Sequence, residues 1–407
     1  MPTWRRTLYT VWFIQFIAVA GFSFVMPFIP YYVQELGITD VKLVAIWAGL
    51  VTSAQAVSMA LMAPVWGALS DRYGRKLMVL RATFGGAVIM ALMGFAANVQ
   101  QLLVLRFLQG MLTGTVSAAT TLVASATPKE RLGAALGSLQ TAVFLGVSFG
   151  PLFGGFMGDT FGYRPSFWIT GGLLLVSGIL VALFVHEDFQ PAEDVVRAGR
   201  HGYGNGMRLV LTSSALLALF VARIVLRTGS RALGPVLPLF VQTLLPAGAR
   251  VATMTGIISA ATALGSAIGS PVVGGWGDRQ GHRRWLIVSA LAAALCFVPQ
   301  AFIHDTRALI FWQLLSGLAV GGTLSTVTAL LARLAPDGHQ GIVFGLDASA
   351  VAGANAIGPM AGAAVAAGLG LRAPFLLSAA FLVVGALAVA LWVQERDRRL
   401  ASAETIA

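Results

Sequence analysis

Charge is scarce in this sequence. Asp, Glu, Lys and Arg make up 11% of its 407 residues while 57% are hydrophobic, against about 25% charged in soluble domains. A soluble surface cannot be assembled from that ratio, so much of the surface is expected to face lipid. Cysteine is nearly missing: Cys296 stands alone in an apolar stretch, which excludes a disulfide framework and a thiolate zinc site. Five histidines are scattered and no glycine-rich phosphate loop is present. Neither a catalytic residue, a metal nor a cofactor is therefore expected, and the chain reads as a non-enzyme.

What the chain has instead is long apolar runs. Twelve of them, near 8–30, 44–67, 78–97, 101–124, 134–157, 166–185, 212–240, 251–275, 285–303, 308–331, 341–366 and 373–393, are long enough to cross about 30 Å of hydrocarbon as helix. Helix is required because a lipid-exposed backbone must satisfy its own hydrogen bonds. With the N-terminus inside, the inner loops and tails hold most of the cations, while the outer loops hold only Lys42, Arg164, Arg250, Arg307 and Arg372. This bias predicts cytoplasmic N- and C-termini and accounts for the net charge of +11 without nucleic acid. Arg5-Arg6, an apolar run and Ala18-Val19-Ala20 imitate a signal peptide. The apolar stretch continues past that point, however, so a retained helix is expected.

Self-comparison reveals a tandem repeat. Met26-Pro27-Phe28-Ile29-Pro30-Tyr31-Tyr32-Val33-Gln34 returns as Gly234-Pro235-Val236-Leu237-Pro238-Leu239-Phe240-Val241-Gln242, 208 residues later. Pro64 returns as Pro271, Gly110 and Gly114 as Gly317 and Gly321, and Gly150-Pro151 as Gly358-Pro359. An all-α membrane protein of twelve helices follows, in a six-helix half 1–185, a polar linker 186–208, a second half 209–393 and a tail 394–407. An even number of spans per half relates the halves by a pseudo-two-fold axis along the membrane normal, with a small-molecule substrate handled between them near the midplane.

Charges inside spans are costly and so are functional candidates. Among the acids only Asp347 lies within a span; it is read either as a proton carrier or as a vestibule acid paired with a nearby Arg. Arg223, Arg227 and Arg231 share one helix face at four-residue spacing. They are expected to line a wet cavity, to bind acids or phospholipid headgroups, or to pair with Asp347 and Glu35. Gln15 corresponds to Arg223 in the first half, and Gln15, Gln109, Gln313 and Asn355 complete the candidate cavity lining. Such a cavity would favour anionic or zwitterionic compounds. Thr127-Pro128-Lys129-Glu130 reads as a capping box opening span 5.

Three motifs resemble the major facilitator superfamily. Gly67-x3-Asp71-Arg72-x-Gly74-Arg75-Lys76 is similar to its signature between spans 2 and 3, with a degenerate copy around Asp278-Arg279 between spans 8 and 9. Arg106-x2-Gln109-Gly110 resembles the buried-arginine signature of proton-driven exporters. Gly137-x8-Gly146-x3-Gly150-Pro151-x2-Gly154-Gly155 resembles the antiporter signature at every position. The likeness extends to the twelve-span drug:proton antiporter group and implies export of small amphipathic compounds across a bacterial inner membrane in exchange for protons; a monomer is expected. It further implies that Arg106 couples proton movement to conformational change. Asp71, Arg72 and Arg75 would latch the halves on the cytoplasmic side in one conformation only. Uptake by proton symport, and flipping of lipids or lysolipids on the span 7 arginines, stand as alternatives.

Overall fold

The computed structural model describes residues 3–128, 131–185, 187, 213–335 and 340–393; the side chain of Asp71 lies outside that description. Among the described residues the regular structure is helical throughout, with no strand. The first half comprises α1 (Thr3–Phe24), α2 (Ile29–Glu35), α3 (Val41–Tyr73), α4 (Arg75–Met93), α5 (Val99–Leu112), α6 (Thr115–Ala126), α7 (Leu132–Phe161) and α8 (Tyr163–Phe184). The second comprises α9 (Ser214–Ala232), α10 (Leu237–Leu244), α11 (Val251–Gln280), α12 (His282–Gln300), α13 (Thr306–Leu334), α14 (Gln340–Leu369) and α15 (Ala373–Trp392).

The sequence explains where these rods break. Pro27 and Pro30 withdraw amide donors, so a short 3-10 turn at Met26–Phe28 separates α1 from α2. Their repeat counterparts, Pro235 and Pro238, lie where α9 gives way to α10. Gly114, with φ 128°, divides α5 from α6. The tight connections α3–α4 and α11–α12 turn on repeat-related Gly74 and Gly281, both at φ 96°, where a side chain would be strained. Helix starts are capped in register as well: Asn98 accepts from the Gln101 amide and Asp305 from the Ala308 amide, each through its side chain.

Nine segments, counting α1 and α2 as one, are long and apolar enough to cross a membrane among the described residues. The other three expected spans depart from that test for identifiable reasons. Span 4 is broken at Gly114, α9 carries three arginines, and α12 opens on His282-Arg283-Arg284. The expected capping box also differs. Thr127 donates back to the Val123 carbonyl at 2.7 Å and closes α6, while α7 begins at Leu132; Lys129 and Glu130 lie outside the described residues. Of the linker 186–208 only Glu187 is described, and its carboxylate accepts from the Arg75 and Lys76 amides at 3.0 and 2.7 Å, capping α4.

The packing is organised in three cores. One is confined to the first half, around Leu8, Val11, Met78, Leu122 and Leu139, and one to the second half, around Leu219, Leu226, Leu330 and Leu382. The third joins the halves, merging Phe28, Tyr32, Val44 and Met90 with Val236, Leu239, Ala252 and Ala366. Every residue in that last set sits toward the face opposite the chain ends. Gln34 and Gln242, equivalent in the repeat, exchange side-chain hydrogen bonds there at 3.0 and 3.3 Å and so lie about the pseudo-two-fold axis.

Candidate functional site

The shared core fixes the shape of the space between the halves. At the face opposite the chain ends, Tyr31 donates to the Pro238 carbonyl and lies 3.0 Å from the Thr255 hydroxyl. Asp159, near the end of α7, accepts from the Ala252 and Thr253 amides at 3.2 and 2.6 Å and so caps α11 from across the interface. Small residues allow the close approach: a β-carbon on Gly49 would lie 2.6 Å from that of Ala363, and one on Gly155 or Gly256 would collide with the backbone of Ala252 or Pro151. Toward the cation-rich face no hydrogen bond or ion pair joins the halves among the described residues, and β-carbons on Gly67, Gly137, Gly275 or Gly345 of the same helices would meet nothing within 4 Å. The halves are closed at one face and open at the cation-rich one. Because the Asp159 cap is one contact of the closed side, Asp159→Ala is expected to weaken closure by about 1 kcal/mol. A cysteine placed at buried Thr255, in a chain lacking Cys296, would then be labelled faster from that face.

Arg223, on α9, is buried with Asp347, on α14: Nε lies 2.9 Å from Oδ1 and Nη2 donates to Oδ2 at 3.1 Å. The sequence left Asp347 between proton carrier and paired acid; the pairing is present. One turn on, Arg227 donates through Nε to the Asn355 side-chain amide oxygen Oδ1 at 3.3 Å. Arg231, a further turn along, is exposed and has no hydrogen-bond or ion-pair partner among the described residues. Glu35 is not part of this group, contrary to the expected pairing. It binds Arg164 at 2.9 Å at the closed face, because α2 ends there rather than in the cavity.

The first half holds its buried charge elsewhere, between α3 and α5. Arg106, 1% exposed, donates to the Gln55 and Gln109 side-chain oxygens at 2.9 and 3.2 Å, leaving Nε and Nη2 unpartnered. Its repeat counterpart Gln313 accepts from Thr262, the counterpart of Gln55, at 2.7 Å. Thus the same two-helix contact is built once with a charge and once without. Gln15 is buried with its amide nitrogen unpartnered. Gln55 was not singled out in the sequence, although an amide inside the apolar run 44–67 was an available signal.

Arg106→Gln keeps an amide for Gln55 and removes the buried charge. Unfolding temperature is expected to hold or rise, since an isolated buried ion costs several kcal/mol.

The motif glycines divide by face. Gly146, Gly150 and Gly154 pack on α1, against Val19, Ala20, Ser23 and Phe24, in their own half; only Pro151 and Gly155 reach the other half. Gly358 and Gly362 pack on Thr228, Arg231 and Ala232 in the same way, so the stripe is a helix-packing device used twice. Around the first loop, Arg72 lies over the Tyr73 ring at 5.3 Å, Gly67 is unopposed, and Arg75 and Gly74 form the turn held by Glu187. In the second loop, Asp278 is 3.0 Å from His282 and 3.5 Å from Arg333, within one half, beside Arg279 in the last turn of α11.

Comparison with known proteins agrees with this geometry. The family model described as Major Facilitator Superfamily matches residues 11–248 and again 219–405. The chain is 35% identical over 402 residues to the multidrug resistance protein MdtG of Salmonella dublin, covering 98% of this chain and 97% of that one. It is 36% identical over 389 residues to MdtG of Enterobacter lignolyticus, covering 94% and 91%. Among solved structures, a bacterial homologue of the human lysosomal transporter Spinster superposes with a TM-score of 0.81 at 16% identity, covering 96% of this chain and 97% of that one. The nucleoside transporter NupG superposes with a TM-score of 0.77 at 12% identity, covering 94% and 98%.

Proposed function

Because the chain belongs to the major facilitator superfamily, a family of transporters rather than enzymes, we propose that it is a proton-coupled exporter of small amphipathic compounds. It acts by alternating access in a bacterial inner membrane, with both ends of the chain in the cytoplasm. The cavity is built from the two halves of a single chain, so one copy suffices for transport. Likeness along nearly the full length to proteins named for multidrug resistance supports the substrate range and the direction.

The observation that carries the proton coupling is the buried Arg223–Asp347 pair. It ties α9 to α14 beside a cavity open toward the cation-rich face. Ionised Asp347 holds that tie; a proton on the carboxyl weakens it, since only a charge-to-neutral hydrogen bond remains. Two arrangements of one helix pair, selected by one proton, are what a proton-driven rocking motion requires. Arg106 and its amide partners supply the buried charge of the first half, between α3 and α5, and Asp71, Arg72, Arg75, Asp278 and Arg279 are the residues proposed to meet when the cation-rich face closes.

A second reading, proton symport for uptake, is favoured by one observation: arginines outnumber acids in the cavity, and a proton on Asp347 would strengthen the hold on an anion. Everted vesicles with an imposed pH gradient separate the two. Export by exchange predicts that adding a transported dye releases protons from an acidified lumen while the dye accumulates inside; accumulation only with the opposite gradient would replace export by uptake.

A further inference from the structure

We propose that Arg227 and Arg231, with Ser230 between them and Asn355 opposite, form a receptor for the anionic group of an amphipathic organic acid such as a carboxylate or sulfonate. This rests on the cavity being the transport site and names the chemical class it accepts.

The case begins with partner accounting. Three arginines follow one another at four-residue intervals on α9, and like charges at that spacing repel. Asp347 neutralises Arg223 alone. Arg227 gives only Nε to a neutral amide, and its terminal nitrogens have no partner among the described residues. Arg231 has no partner there at all; it lies about 26 Å along the helix from Ser214, one residue before the end of α9 and a short way before α10 continues the span. Its position in the last turn of α9 is favourable to the helix dipole, but that leaves its five donors unused. Elements packed against α9 bring no further acid: Asp347 is the single carboxylate within α14, the described part of α15 has none, and α13 has Asp305 only at its far cap.

The surroundings suit the rest of such a molecule. Arg223, Arg227 and Ser230 line a crevice between α9 and α13 whose other wall is Val320, Leu324 and Val327, with Thr323. Guanidinium forks beside an apolar wall match a flat anionic group on an apolar body, and two unpaired cations repel a lipophilic cation from the same place. Binding an anion would also relieve the repulsion along α9.

Binding to the purified protein, without any gradient, tests the proposal independently of transport. The protein is placed in nanodiscs of zwitterionic lipid and titrated with naphthalene-2-sulfonate and with 2-naphthyltrimethylammonium, which share one apolar body. The sulfonate is expected to bind at least about tenfold more tightly, and Arg227→Gln and Arg231→Gln each to weaken it by about tenfold with unchanged thermal unfolding. Asp347→Asn, which leaves Arg223 without its carboxylate, is expected to strengthen sulfonate binding. Equal or tighter binding of the ammonium, or indifference of the sulfonate to both arginine variants, would overturn the assignment. Loss of sulfonate binding in nanodiscs containing phosphatidylglycerol would overturn it differently, making the site one for lipid headgroups. Absence of proton-driven transport, by contrast, would remove the proposed function and leave these binding results standing.

Discussion

Asp347→Asn is expected to lower the initial rate of proton-driven transport about 100-fold, the scale of a coupling free energy near 3 kcal/mol, while exchange of substrate across the membrane without a gradient continues. The substitution is nearly isosteric and keeps a hydrogen-bond acceptor for Arg223, which is 7% exposed. The protein is therefore expected to fold. Asp347→Ala differs, because it strands a buried guanidinium, and breaking a buried pair that way costs about 3–5 kcal/mol. Arg223→Gln combined with Asp347→Asn should recover most of that stability without recovering coupling. Transport and thermal unfolding measured on the same four proteins separate the two roles. If Asp347→Asn kept the full dependence on the pH gradient, the proton would have to be carried elsewhere, and Arg223–Asp347 would be a structural tie.

The sequence made the repeat visible, and with it the two halves, because proline, glycine and glutamine at a shared offset record the same backbone breaks twice. It also singled out Asp347 and the α9 arginines, since in a chain with so little charge every buried ion stands out. What it left open was the direction in which side chains face. Gly146, Gly150 and Gly154 form one stripe in any helical projection, and nothing in their spacing tells that α1, not the other half, fills it. Asp159 lay just beyond an expected span, and its value depends on the α11 amides brought to it from 93 residues away. Gln55 and Glu187 were likewise defined by partners distant in sequence, Arg106 and the start of α4. Which face of the molecule is closed is a property of assembled helices, so no local pattern records it.

Opposite substitutions on helices that meet at the closed face should drive the molecule opposite ways. Gly256 packs so tightly on the Pro151 backbone that a side chain cannot be accommodated without separating α7 from α11. Gly256→Val is therefore expected to open the closed face, increase labelling of a cysteine at Thr255, and reduce transport at least about tenfold, the range of overpacking costs of 1–3 kcal/mol. Gly137 lies on α7 eighteen residues before Gly155, which at 3.6 residues per turn places both on one side of the helix. Gly155 touches the other half, whereas a β-carbon on Gly137 would meet nothing within 4 Å. Rocking that closes the cation-rich face must bring this part of α7 toward α11, so Gly137→Val should leave the present state undisturbed and obstruct its alternative. Transport is again expected to fall, but Thr255 labelling should stay slow. Distances between spin labels at Lys42 and Arg250, lengthened in Gly256→Val and unchanged in Gly137→Val, would give the same signs without relying on chemistry at a buried site. Equal behaviour of the two variants would mean that α7 does not rock against α11 about the Pro151 contact, and that the glycines of this helix serve packing alone.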